Sequence, residues 1–117
     1  MSRKYKFAEK ESLHFISFAV VYWIDIFIRN EYKDVLLNSW KFCMDKKGLE
    51  IYGWCIMTSH VHMIVSSKND PLADIMRDMK KYTSNHLRLS IKENPAESRK
   101  EWMLWLMERA GQLVRTS

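Results

Sequence analysis

His60 and His62 stand two positions apart in the stretch 51–66, Ile-Tyr-Gly-Trp-Cys-Ile-Met-Thr-Ser-His-Val-His-Met-Ile-Val-Ser. Two apolar, aromatic-rich runs flank a short polar step, Thr58-Ser59, which predicts a β-hairpin or tight strand-to-strand turn. Side chains on a strand alternate faces with a period of two, so both imidazoles point one way while Val61, Met63 and Val65 point the other. Each imidazole brings a polar nitrogen that needs a partner, which Ile or Thr at the same position does not. Neutral imidazole is a common ligand for divalent ions, and two rings on one strand face can share a cation. The plainer alternative is a pair of partly exposed or hydrogen-bonded histidines. Two ligands also leave a coordination shell incomplete, so a third must come from elsewhere.

The elements that would position this pair follow from periodicity. Residues 13–22 read as a strand apolar on both faces, hence central in a sheet. Residues 23–29 form a hydrophobic connection without an assignable period. Asn30 is a capping residue, after which Tyr32, Val35, Leu36, Trp40 and Cys43 recur at helical spacing up to Lys46-Lys47-Gly48, a basic last turn closed by glycine. Residues 49–57 and 60–66 make the hairpin. Asp70-Pro71 opens the next helix, along which Leu72, Ile75, Met76, Met79, Thr83, His86 and Leu87 keep the i, i+3, i+4, i+7 pattern until Asn94-Pro95. Ser98-Arg99-Lys100-Glu101 is a capping-box pattern before a last helix with Trp102, Trp105, Leu106 and Ala110, ended by Gly111. Residues 112–117 carry no structural signal. The order strand, helix, strand, strand, helix is most of a split βαβ unit, an α+β fold of ferredoxin-like type with an antiparallel sheet, short of its final strand.

At 117 residues the chain, 1–117, is one domain with a single core. Lys and Arg outnumber Asp and Glu by 19 to 14, and the pI of about 9.3 makes nucleic acid a reasonable partner, although the excess is modest. Only Cys43 and Cys55 are present, without a CxxC pair, which fits buried thiols in a reducing cytoplasm. Residues 1–11 form a polar, basic, frayed arm without signal-peptide character. The run 15–28 is broken by Ser17 and Asp25 and is too short to span a bilayer. Arg77, Lys80, Lys81 and Arg88 fall beside the apolar stripe of the second helix, either as a solvated face alternating with Asp74 and Asp78 or as a phosphate-contacting stripe.

The stretch Ile56-Met57-Thr58-Ser59-His60-Val61-His62-Met63-Ile64 resembles the Met-Pro-Asn-His-Val-His signature of the HUH single-tyrosine transposases, in which a hydrophobic residue separates two histidines. His14 before Phe15, the Lys-Gly before Leu49, the run Lys80-Lys81-Tyr82-Thr83-Ser84, and Asn94-Pro95 through Gly111 resemble the REP-associated branch, so the likeness spans nearly the whole chain. The resemblance implies a nuclease and strand transferase acting on single-stranded or hairpin DNA. It further implies a divalent ion, Mg²⁺ or Mn²⁺, held by His60 and His62 against the scissile phosphate, and a tyrosine that forms a 5′-phosphotyrosine link. The family's attacking tyrosine lies in a Tyr-Ile-His-x-Asn-Pro-Val segment after a Trp-Gln-containing strand. Neither occurs here, and the chain is expected to be truncated before its nucleophile. Tyr82, on a helix after the histidine strand and beside two lysines, is the fallback nucleophile; its alternative is a core or DNA-stacking role. His86, one turn on, is a candidate third ligand, with a satisfied helix histidine as its alternative. His14 is assigned a hydrogen bond near the site.

Two functional classes follow: a transposase-type enzyme, or a DNA-binding remnant that keeps the fold and performs no cleavage. An unrelated ferredoxin-like RNA binder would carry exposed aromatics where His60 and His62 stand. Loss of the last strand would leave the edge of residues 13–22 open and recruit a second copy by strand pairing or helix exchange.

Overall fold

A computed structural model describes residues 12–111 and 114–116 of the chain. The basic arm expected at residues 1–11 lies outside the described residues. Strand β1 (His14–Val20) leads through two short 3-10 turns, Val21–Trp23 and Ile26–Ile28, into helix α1 (Asn30–Lys47). Strands β2 (Leu49–Ile56) and β3 (His60–Ser67) form the hairpin, followed by α2 (Leu72–Glu93), α3 (Lys100–Ala110) and β4 (Val114–Thr116). The four strands lie in the order β2-β3-β1-β4, all neighbours antiparallel. The α+β, ferredoxin-like arrangement is therefore complete, with one correction: the final strand is present. Its three residues include a single inward apolar side chain, Val114, too few for an alternation to show in the sequence. Backbone pairing to Phe18, Ala19 and Val20 and a bond from the Val114 N–H to Ser84 Oγ (3.1 Å) hold it instead. The β1 edge that the sequence left open is thus covered over those three residues.

One layer of helices covers one sheet face. Ile16, Phe18 and Val20 of β1 and Val61, Met63 and Val65 of β3 form a core with Tyr32, Leu36 and Trp40 of α1 and Leu72, Ile75, Met79, Leu87 and Ile91 of α2, all buried. Burying each such side chain contributes about 1.5–3 kcal/mol, so this layer carries most of the driving force. Met103 and Met107 attach α3 to the same core. Among the described residues no helix lies over the opposite sheet face: Phe15 of β1 is 70% exposed, and Ile64 of β3 and Cys55 of β2 are exposed too. This differs from the expectation of a first strand buried on both faces.

The helix ends depart from the capping expected. No side-chain cap bond is made at the start of α1, α2 or α3. Asp70 faces Lys47 at 3.9 Å rather than capping α2. The Ser98 capping box does not form, and Glu97 Oε2 accepts from the N–H of Arg99, the residue before α3, at 3.3 Å. Gly48 closes α1 at φ 81°, as its position predicts.

Candidate metal centre on the open sheet face

β3 presents His60 and His62 on the uncovered face because Val61 and Met63, alternating with them, face the helices. The two rings are parallel within 1°, with centroids 6.3 Å apart. Across the sheet, His62 is in register with Ser17 of β1 and Cys55 of β2, and His60 with Ala19. His62 Nδ1 is buried and has no hydrogen-bond partner among the described residues. The Ser59 hydroxyl lies 3.3 Å from His60 Nδ1; when Nδ1–H donates to that oxygen, Nε2 keeps its lone pair for a ligand.

These two residues fit a shared divalent ion in donor type and in orientation. Two imidazoles that hold one ion at about 2.1 Å and a near-tetrahedral angle set their centroids about 5 Å apart, so the rings must close by about 1 Å. Rotation about the broad outer torsion of histidine supplies such a shift. Among the described residues no third His, Cys, Asp or Glu completes a metal-binding group.

Two further rings extend the pair into a row. Phe15 stacks on His62 at 5.8 Å and 13°, and the Trp23 ring meets His60 edge-on at 3.8 Å. Trp23 reaches that place through an unusual turn: Tyr22 and Trp23 both have φ 56°, a left-handed conformation that bulky residues rarely adopt. The turn is pinned on both sides, the Val20 N–H donating to Ser59 O and the Phe27 N–H to Thr58 O, each at 2.9 Å. Buried Ile24, Ile26 and Phe27 anchor it below. A shallow hollow of about 210 Å³, lined by Phe15, Gly53, Cys55, His62 and Ile64 among others, opens beside the row. Sequence reasoning did not single out Phe15 or Trp23. Phe15 shares strand parity with Ser17, the partner of His62, and was in principle legible; Trp23 lies in the connection that had no period.

The remaining predicted residues are elsewhere. Tyr82 stacks on Phe42 of α1 (6.2 Å, 4°), and His86 packs edge-on against Tyr82 (3.9 Å). Both belong to the helical layer, so the sheet stands between them and the histidine pair, and the structure does not bring them together. His14 is buried on β1. Arg77 is committed to Asp74 (3.3 Å) and Asp78 (3.2 Å). Lys81 lines a hollow with Arg77, Ser84, Asn85 and Gly111, and Arg88 donates to the Gly111 carbonyl at 3.0 Å. Lys80 is half-buried on α2. The basic stripe therefore follows the α2 flank near Gly111 and does not join the histidine face.

Of the other described tyrosines, Tyr32 donates its buried hydroxyl to Glu97 and Tyr52 donates to Glu50, both at 3.0 Å. Tyr22, exposed beside Trp23, is the tyrosine next to the histidine row in sequence. No described helix is long and apolar enough to cross a membrane.

Comparison with known proteins adds lineage. A family model described as "Transposase IS200 like" matches residues 10–107. A solved structure described as a "putative transposase" from Deinococcus radiodurans R1 superposes with a TM-score of 0.56 at 13% identity, covering 88% of this chain and 92% of that one. At that identity the superposition shows a shared fold. No curated protein matches the chain.

Proposed function

Because the chain belongs to the IS200-like transposase family, we propose that His60 and His62 hold a divalent ion against a phosphate of single-stranded DNA and that the protein nicks and transfers that strand. The observation that carries this reading is the parallel imidazole pair on a sheet face that no described helix covers, with His62 Nδ1 left without a partner among the described residues. A bound Mg²⁺ or Mn²⁺ would supply charge neutralisation at the phosphate, although two imidazoles suit Mn²⁺ better than Mg²⁺ on ligand softness. The chain's own contribution is orientation. Strand parity turns both rings to one side of the sheet, and the contact between the Ser59 hydroxyl and His60 Nδ1 orients that ring. In the reaction a tyrosine Oη gives up its proton and forms a bond to phosphorus, the bond to the 3′ oxygen breaks, and that oxygen takes up a proton.

Tyr82 takes no part in this reading, since it stacks on Phe42 behind the sheet. That placement favours one second reading, a protein that binds single-stranded DNA without cutting it. Arg77, Lys80, Lys81 and Arg88 contact phosphate in both readings, away from the ion, and give affinity without sequence preference. Among the described residues, the outer side of β2, where Tyr52 and Trp54 are exposed, is a sheet edge open to a second copy, and the β1 edge is covered only over Phe18, Ala19 and Val20.

Labelled hairpin DNA incubated with Mn²⁺ distinguishes the readings. The enzyme leaves label covalently on the protein, abolished by His60→Ala or His62→Ala and unchanged by Tyr82→Phe. Loss of label with Tyr82→Phe would overturn the placement of the chemistry, and binding without label would leave the second reading.

A further inference from the structure

We propose that Phe15 and Trp23 are stacking platforms that seat the bases on either side of the phosphate facing His60 and His62. The inference rests on the reading of that pair as a phosphate site and adds how the strand is held there. Successive ring centroids from Phe15 through His62 and His60 to Trp23 are 5.8, 6.3 and 3.8 Å apart, so the two aromatics flank the imidazoles from opposite ends. A phosphate over the pair leaves the base before it beside one aromatic ring and the base after it beside the other.

Isolated exposed aromatics are ordinary on protein surfaces. These two are not isolated, being 70% and 64% exposed and both in ring contact with the proposed ion ligands. Trp23 in addition is held by two consecutive left-handed residues that an unconstrained turn would fill with Gly or Asn. The strained turn carries the indole to the histidine while burying little of it. On the other side, the hollow of about 210 Å³ beside Phe15 has Gly53 in its wall, where the sheet register shifts, and offers depth for a flat, largely apolar group. A nucleobase is such a group, and stacking on aromatic rings is how proteins hold single strands irrespective of sequence. A duplex presents no free base face, so the same geometry selects single-stranded DNA.

The test measures binding in EDTA, where no cleavage occurs, by anisotropy of fluorescent oligothymidylate and of the same sugar-phosphate backbone lacking bases. Wild-type protein should bind the thymidylate more tightly. Phe15→Ala and Trp23→Ala should each weaken that binding roughly 5- to 100-fold, leave the abasic strand and the salt dependence unchanged, and melt near the wild-type temperature. Phe15→Leu, which keeps apolar bulk without a ring, should behave like Phe15→Ala, whereas Phe15→Tyr and Trp23→Phe should restore binding. Equal thymidylate affinity in the wild type and the alanine variants overturns the inference, as does equal wild-type affinity for the two strands. Wild-type protein that binds neither strand, in EDTA or in Mn²⁺, overturns the underlying phosphate reading instead.

Discussion

The two thiols show how placement decides chemistry at the scale of single residues. Cys43 is buried on the inner face of α1, and burial pushes its thiol up to about 11, with the Lys47 charge opposing only in part. Cys55 is exposed on the open face, in register with His62. A thiol reagent at pH 8 should therefore modify one cysteine rapidly and the second only after denaturant is added. Cys55→Ser should remove the fast phase; persistence of that phase would place Cys43 in a more open environment than the fold provides. The modified Cys55 also puts a reporter beside the imidazoles, where added Mn²⁺ should broaden its signal.

Among the elements, the two glycines that end helices separate backbone strain from crowding. Gly48 and Gly111 both have φ 81°. A Cβ on Gly48 would lie 2.7–2.8 Å from Asn69, including its backbone nitrogen, whereas one on Gly111 would meet nothing within 4 Å. Gly48→Ala should cost about 2–3 kcal/mol in urea unfolding and Gly111→Ala about 1 kcal/mol. Equal costs would show that the Asn69 contact is relieved by movement of the loop. This contrast also shows what was legible in the sequence. Gly48 after two lysines, the α2 stripe and the shared face of His60 and His62 all follow from local periodicity and backbone preference. The Tyr22-Trp23 turn does not, because no propensity favours left-handed aromatics; tertiary bonds from Val20 and Phe27 to the hairpin turn impose it. β4 escaped for a related reason: three residues have no period, and their partner is nearly a hundred positions away in the chain. The Ser98 box did not form, and the Arg99 N–H goes instead to Glu97, which is buried and engaged by three side chains, a tertiary arrangement that local spacing does not encode.

For the molecule as a whole, that same Glu97 joins the two ends of the helical layer. It accepts from Arg29 Nε (3.0 Å), Tyr32 Oη (3.0 Å) and Arg99 Nε (3.1 Å), while Arg99 also binds Asp25 at 2.6 Å. Burial raises the Glu97 carboxyl, but the bonds from Arg99 and Tyr32 outweigh it and hold the group below its ordinary value. The Arg99 hydrogen bond likewise lowers Asp25. Depressed carboxylates stabilise the fold above their unfolded values and lose that contribution as pH falls through the folded ones. Unfolding free energy should thus drop as pH falls below about 4.5. Glu97→Ala should remove about 2–3 kcal/mol at pH 7, discounted for the partial exposure of both arginines, and flatten the acid limb in urea titrations. An unchanged acid limb would assign the sensitivity to other carboxylates.

The uncovered side of the sheet has a practical outcome. Rings that would grip bases are, when bases are absent, a tacky plane that water wets poorly, so preparations stripped of polynucleotide should lose solubility and regain it when short oligonucleotides are returned. The same bareness frees the opposite layer: the packing of α1 and α2 can drift over generations without disturbing whatever is done on the naked side.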